Sequence, residues 1–268
     1  MELGGKDPMI VAEDADVDAA AEAAVFGALT NTGQACISIE RIYVAEPIYD
    51  RFVDKVVAEV GKVKVGGDDG HLGAMTSPQQ VGIVKDHLED AVRRGARALT
   101  GGADAIAGNF IQPTVLVDVT DDMKVMKDET FGPVIPIVKV KSTEEALRRA
   151  NETPFGLGSA VFGKRARELA DRIKAGMTSV NSVMAFSAIT ALPFGGVGES
   201  GFGRIHGDHG IREFTRTKAT AEQVFNLPMN MMSFRVPKNA ADRMRGMIKQ
   251  LYGSGAVAKA KDLLGKLR

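Results

Sequence analysis

Apolar residues along the chain follow two periods. Met9-Ile10-Val11-Ala12, Arg41–Ala45 (RIYVA), Val134–Val140 (VIPIVKV), Ser159–Phe162 and Ser179–Asn181 are short apolar runs, as in strands buried on both faces. Arg97–Thr100 and Phe110–Val119 also read as extended. Between the runs, apolar residues recur at helical spacing over Asp14–Thr30, Ile48–Val60, Pro78–Arg94, Ser142–Ala150 and Lys164–Ala175. Asp16 is a fitting N-cap for the first helix, and Asn31-Thr32-Gly33 ends it. Strands alternating with helices predict an α/β fold, a mostly parallel twisted sheet flanked by helices. Ile211–Thr220 reads as a strand leaving that body. Pro228 and Pro237 then bracket the methionine-rich stretch MNMMSFRV. Two amphipathic patterns close the chain, Asn239–Tyr252 and Ala256–Leu267, separated by Gly253-Ser254-Gly255. The division is therefore a body over 1–210, a strand segment over 211–222 and a helical tail over 223–268.

Charge sharpens this division. Lys+Arg and Asp+Glu both number 34, so nothing global points to nucleic acid. Residues 230–268 nevertheless hold nine basic and two acidic side chains, which leaves the tail at +7 and the remainder at −7. Such a tail either lies on anionic lipid as a peripheral contact or packs on the body or a neighbouring subunit. No uninterrupted apolar stretch of about 18 residues exists to span a membrane. MELGGKDP lacks the basic and apolar regions of a secretory signal, and a single cysteine forms no internal disulfide. A cytoplasmic protein is the expectation.

The candidate chemistry starts with that cysteine, Cys36, in NTGQACIS (31–38). A thiolate at a helix–loop junction can attack an electrophilic carbon, with backbone N–H groups nearby for the oxyanion. The bland alternative is a small buried hydrophobe. Glu2, before the Gly4-Gly5 pair, can serve as a mobile general base or be merely a solvated acid. Glu129-Thr130-Phe131-Gly132-Pro133 offers a carboxylate and a ring on a rigid turn, or simply a strand entry. Phe194–Gly203 carries five glycines but not the ending of a phosphate loop. His71, His87, His206 and His209 give no metal spacing with Cys36, so no metal site is expected. A cysteine–histidine hydrolase stays open.

Four segments in order resemble the aldehyde dehydrogenase superfamily: Glu2–Pro8 (ELGGKDP), Gly33–Cys36 (GQAC), Glu129–Pro133 (ETFGP) and Pro193–Arg204 (PFGGVGESGFGR). The likeness covers roughly residues 1–220, and Cys36–Val44 (CISIERIYV) looks closest to semialdehyde dehydrogenases. It implies that residues 1–210 are a catalytic domain and that 211–222 is an oligomerisation strand. It implies that Cys36 forms a thiohemiacetal and then a thioester with an aldehyde substrate. Glu2 would activate water, and the Cys36 N–H would serve the oxyanion. Glu129 and Phe131 would hold the nicotinamide ribose and ring of NAD or NADP, and Gln80 (or equally Gln79) would reach a ribose.

Members of that family are nearly twice this length, and their dinucleotide-binding half has no counterpart here. The cofactor site is therefore expected to be incomplete, and an apolar face to be exposed. The lone chain should have little dehydrogenase activity without a complementing N-terminal half; homo-oligomerisation is the other expected association. Two further readings compete: a nucleotide-independent thiol esterase or acyltransferase, and an inactive interaction subunit. A functional Cys36 is expected to alkylate faster than a model thiol.

Overall fold

Parallel strands buried on both faces are what the continuous apolar runs build. The computed structural model describes residues 1–224 and 237–252. In chain order the elements are β1 (Asp7–Val11), α1 (Val17–Leu29), β2 (Ile39–Ala45), α2 (Tyr49–Val60), α3 (Pro78–Arg93), β3 (Arg97–Ala98), β4 (Ile106–Ala107), β5 (Phe110–Ile111), β6 (Thr114–Val117), α4 (Lys124–Lys127), β7 (Val134–Val140), α5 (Thr143–Ala150), β8 (Ala160–Phe162), α6 (Ala166–Ala170), β9 (Ser179–Val180), α7 (Ala185–Ala188), α8 (Gly207–Glu213) and α9 (Ala240–Tyr252). The main sheet has the order β3-β6-β7-β2-β1-β8-β9. Its pairings are parallel except β3–β6, at the edge. β4 and β5 form a separate antiparallel hairpin.

Side chains alternate across the sheet, as the pleat requires. Met9, Val11, Ile42, Val44, Ile135 and Ile137 enter the core under α1 and α2. Ile10, Tyr43, Val134 and Val138 enter the opposite core, under α3, α4, α5 and α6. The Asp16 carboxylate caps α1, accepting from the N–H groups of Asp18 and Ala19. The helix then stops because Asn31, Thr32 and Gly33 are all left-handed, at φ 54°, 61° and 71°.

Some elements differ from expectation. Ile211–Glu213 closes helix α8, and 216–220 carries no strand. A strand needs a neighbour for its backbone groups, and this segment has none among the described residues. The expected helix over Lys164–Ala175 is only α6, because the chain turns after Asp171 to enter β9. The extended stretch Phe110–Val119 splits into β5 and β6 at Gln112-Pro113. In the tail, α9 matches the first amphipathic pattern. The second pattern, Ala256–Leu267, and the methionine-rich stretch 229–236 lie outside the described residues. Residues 1–216 and 217–268 are separate compact units. No described helix is long and apolar enough to cross a membrane.

Candidate functional site

In a parallel sheet, neighbouring strands begin along one edge, so the segments entering them are brought together. Glu2–Lys6 leads into β1, Cys36–Ser38 into β2 and Glu129–Pro133 into β7. Because β1, β2 and β7 are adjacent, these three motifs meet despite their separation in sequence. The loop from Phe194 to Gly203 closes over them through the Glu2↔Gly201 bridge and the bond from Leu3 N–H to the Ser200 carbonyl (3.1 Å).

The cysteine loop is fixed from both sides. Gln34 donates to the Asn31 carbonyl (3.1 Å), while its own side-chain oxygen accepts from the Thr76 N–H (3.0 Å) and hydroxyl (2.9 Å). Gly33 is required here: a Cβ would lie 2.2 Å from the Gly132 oxygen. The cysteine loop and the Glu129–Pro133 loop thus touch backbone to backbone. Cys36 is half-buried, with its sulfur near Glu2. Partial burial pushes its thiol up to about 11, and the charges of Glu2 and Asp7 push the same way. Its own backbone N–H opposes this. At pH 7 such a thiol is ionised in only about one molecule in 10⁴. The expected fast-alkylating thiolate does not fit these surroundings: the resting group is a thiol beside a carboxylate.

Glu2 is exposed and accepts from the Gly4 N–H at 2.7 Å. Glu129 is half-buried, and burial raises its carboxyl above the usual range. One Glu129 oxygen accepts from the Gly5 N–H at 2.9 Å. The other takes no donor among the described residues, and Gly4 at φ +86° leaves it room. Phe131 beside it is partly exposed and left-handed, at φ 49°. That conformation costs a non-glycine residue about 1–3 kcal/mol and must be held in place by its surroundings. A half-buried carboxylate with a free acceptor oxygen beside an accessible ring fits a ribose diol joined to a flat heterocycle. Gln80 donates its amide to the Thr130 carbonyl at 2.8 Å, so it grips the loop; Gln79 is exposed.

The buried polar groups beneath are ones that motif reading did not single out. Lys6 and Glu40 form an ion pair almost sealed from solvent. Burial pulls the Lys6 pKa down, and Glu40 opposes the shift. Arg41, also buried, donates to the carbonyls of Lys6 (2.9 Å) and Ala150 (3.0 Å). Asp7 accepts from the Gly158 N–H at 3.0 Å, and its second oxygen has no partner. Burial raises the Asp7 carboxyl to about 8. The signal for this layer was present in Glu40-Arg41, two charges inside a strand whose seven residues are all buried.

Around the sulfur the lining is apolar: Ile37, Leu157, Met177 and Phe186 form a small cluster against which Cys36, Met184 and Phe194 pack. A cavity of about 240 Å³ opens beside Glu2, lined by Met1, Phe194, Phe202, Ile205 and Phe214. Phe202 and Phe214 are 68% and 87% exposed, which makes this side of the body an open apolar face. A larger recess of about 930 Å³, near Tyr49, Arg97 and Asp118, touches none of the predicted site residues. No group of three potential metal ligands occurs among the described residues.

The sequence profile of the Aldehyde dehydrogenase family matches residues 1–220. The chain is 38% identical over 261 residues to the 4,4'-diapolycopene aldehyde oxidase of Methylomonas sp., covering 96% of this chain and 49% of that one. It is 41% identical to the NADP(+) succinate-semialdehyde dehydrogenase of Deinococcus radiodurans over 226 residues, covering 81% and 47%. The structure of an aldehyde dehydrogenase from Brucella melitensis biovar abortus 2308 superposes with a TM-score of 0.77 at 39% identity, covering 81% of this chain and 46% of that one. The chain spans about half the length of the curated relatives it matches. With the four motifs gathered at one sheet edge and this likeness across the body, the chain belongs to the aldehyde dehydrogenase family.

Proposed function

We propose that this chain carries the covalent half of an NAD(P)-dependent aldehyde oxidation, with Cys36 as nucleophile and Glu2 as general base. The observation that supports this most is the approach of the Glu2 carboxylate to the only thiol, at the mouth of a half-buried apolar site. The sulfur adds to the aldehyde carbon, and the carbonyl oxygen becomes the hydroxyl of a thiohemiacetal. The Cys36 N–H, which donates to no other group among the described residues, faces that oxygen as it gains charge. Glu129 and Phe131 are the residues that would hold the ribose and ring of a nicotinamide, with Gln80 keeping their loop in place. When bound, that group supplies the two-electron oxidant that turns the thiohemiacetal into a thioester. Glu2 then takes a proton from water, the water oxygen bonds the acyl carbon, and the carbon–sulfur bond breaks to release the acid and the thiol.

The lining also bears on the substrate. Glu2 and Asp7 are the acids whose charge reaches the sulfur, and the side chains that pack with Cys36 are apolar. This supports an uncharged apolar aldehyde over a semialdehyde carrying its own carboxylate. The relative named for a diapolycopene aldehyde accords with it.

An activated acetate ester tests the covalent steps in the chain as it exists. Intact mass should show one acetyl group, on Cys36. Glu2→Gln should slow its loss by about 10²–10⁴-fold, the scale of general-base assistance. Acetylation elsewhere, or equal deacylation in the variant, removes the assignment. Pentanal should protect Cys36 from alkylation at lower concentration than glutaric semialdehyde, which differs by the carboxylate; the reverse order overturns the substrate class.

A further inference from the structure

We infer that Glu40, charge-balanced by Lys6, is a positioning residue for the loop that receives the nicotinamide ribose. The inference rests on the cofactor reading of Glu129 and Phe131 above. It begins from Thr130, which sits between those two residues and is fully buried. Its N–H donates to Glu40 Oε2 at 2.8 Å, and the next N–H, that of Phe131, donates to Glu40 Oε1 at 2.8 Å. One carboxylate thus grips two successive amides, as an anion sits in a backbone nest. The Thr130 carbonyl accepts from Gln80, and its hydroxyl accepts from Lys6 Nζ at 3.1 Å. The hydroxyl also lies 3.1 Å from His87 Nδ1, which shares the hydrogen bond in either direction. Burial lowers the His87 pKa, which favours the neutral ring. Every polar atom of Thr130 is therefore held from a different element: β2, α3 and the entry to β1.

Placement gives the clamp its meaning. Lys6 is four residues after Glu2, and Glu40 four after Cys36. Both stand where the adjacent parallel strands β1 and β2 begin. A single ion pair therefore references the cofactor loop to the strand carrying the base and to the strand carrying the nucleophile. Phe131 keeps its left-handed conformation because its N–H is tied to Glu40. Without that tie, Glu129 and the ring lose their fixed distance from Cys36, while Cys36 itself stays held by Gln34 and Thr76.

The test is Glu40→Gln in the full chain, with three readouts. Amide exchange at Thr130 and Phe131 should accelerate at least 10-fold, while β1 and β2 stay protected. Affinity for nicotinamide mononucleotide, a probe with only the ribose phosphate and ring, should fall at least 10-fold by calorimetric titration. The rate of Cys36 alkylation should stay within two-fold of the parent, which a general loss of structure would not allow. Glu129→Gln serves as the control for the cofactor reading. If the parent chain binds no nicotinamide mononucleotide, or Glu129→Gln binds it unchanged, that reading fails and the inference with it. If Glu129→Gln weakens binding but Glu40→Gln does not, or if amide protection survives Glu40→Gln, the cofactor reading stands and the positioning role is overturned. Should Glu40→Gln not fold, Thr130→Val removes only the hydroxyl link. It should weaken nucleotide binding about three-fold with alkylation unchanged; unchanged binding would again overturn the role.

Discussion

Glu2 and Glu40 show two opposite ways of holding a carboxylate within one site. Glu2 is exposed, its one backbone partner is two residues away, and a glycine pair follows it. Glu40 is 4% exposed and binds two amides and a lysine. In the base role proposed for Glu2, a carboxylate that collects a proton from water and releases it needs room to turn. A group that fixes a loop must have no alternative partner. The region near the sulfur is accordingly open and under-satisfied, while the layer beneath it is closed and nearly complete in its hydrogen bonds. Rigid support under a mobile reacting group is a common division in working sites.

The largest break in this comparison is at Lys6. Lys6→Met removes the one cation paired with Glu40 among the described residues and strands a buried carboxylate. Loss of one partner of a buried pair costs about 3–5 kcal/mol. Urea unfolding at pH 7 should show a loss of this size. A loss under 1 kcal/mol would mean that Glu40 is stabilised by the Thr130 and Phe131 amides alone. Lys6→Met with Glu40→Leu should recover part of the loss, because the pair is then replaced rather than halved.

How much of this was legible in the sequence follows from which interactions are local. The inner strands and helices α1, α2, α3 and α5 were readable because their apolar periods are set by burial, and Asp16 announced the first cap. Cys36, Glu2, Glu129 and Phe131 were readable as motifs. Their meeting at one edge depends on the order β7-β2-β1, which no local pattern encodes. The Lys6–Glu40–Thr130 clamp was invisible for the same reason: its members lie 34 and 90 residues apart along the chain. The strand at Ile211–Thr220 failed because its first residues close helix α8 and the rest pairs with no strand among the described residues. α8, with Gly207 and Gly210, has the composition of a loop, so helix propensity gave no signal for it.

Asp7 gives an effect of intermediate size, in the closed layer. Its carboxyl titrates near 8 in the folded chain and near its ordinary 3.8 when unfolded. The folded state therefore binds the extra proton between those values. Stability should fall as pH rises from about 4 to 8 and level off above, by at most about 1.4 kcal/mol per pH unit. Asp7→Asn removes the titration. The difference in unfolding free energy between parent and variant should change steadily between pH 5 and 8 and stay constant between 8.5 and 9.5. Parallel curves over the whole range would show that Asp7 is ionised in the folded protein.

The smallest effect is the sharpest test of the open region. The Cys36 thiol titrates near 11, where both Glu2 and Asp7 carry charge, and both oppose the thiolate. Of the two, Glu2 acts more strongly. Glu2→Gln should move the midpoint of iodoacetamide alkylation below that of the parent, by more than Asp7→Asn does. At pH 8 the variant thiol should then react faster than the parent even though its deacylation is slower. These opposite signs separate two roles of one carboxylate: as a charge beside resting sulfur it slows ionisation, and as a base toward water it speeds hydrolysis. Slower alkylation of Glu2→Gln at every pH would reverse the first role, and Glu2 would then be the group that takes the thiol's proton before attack.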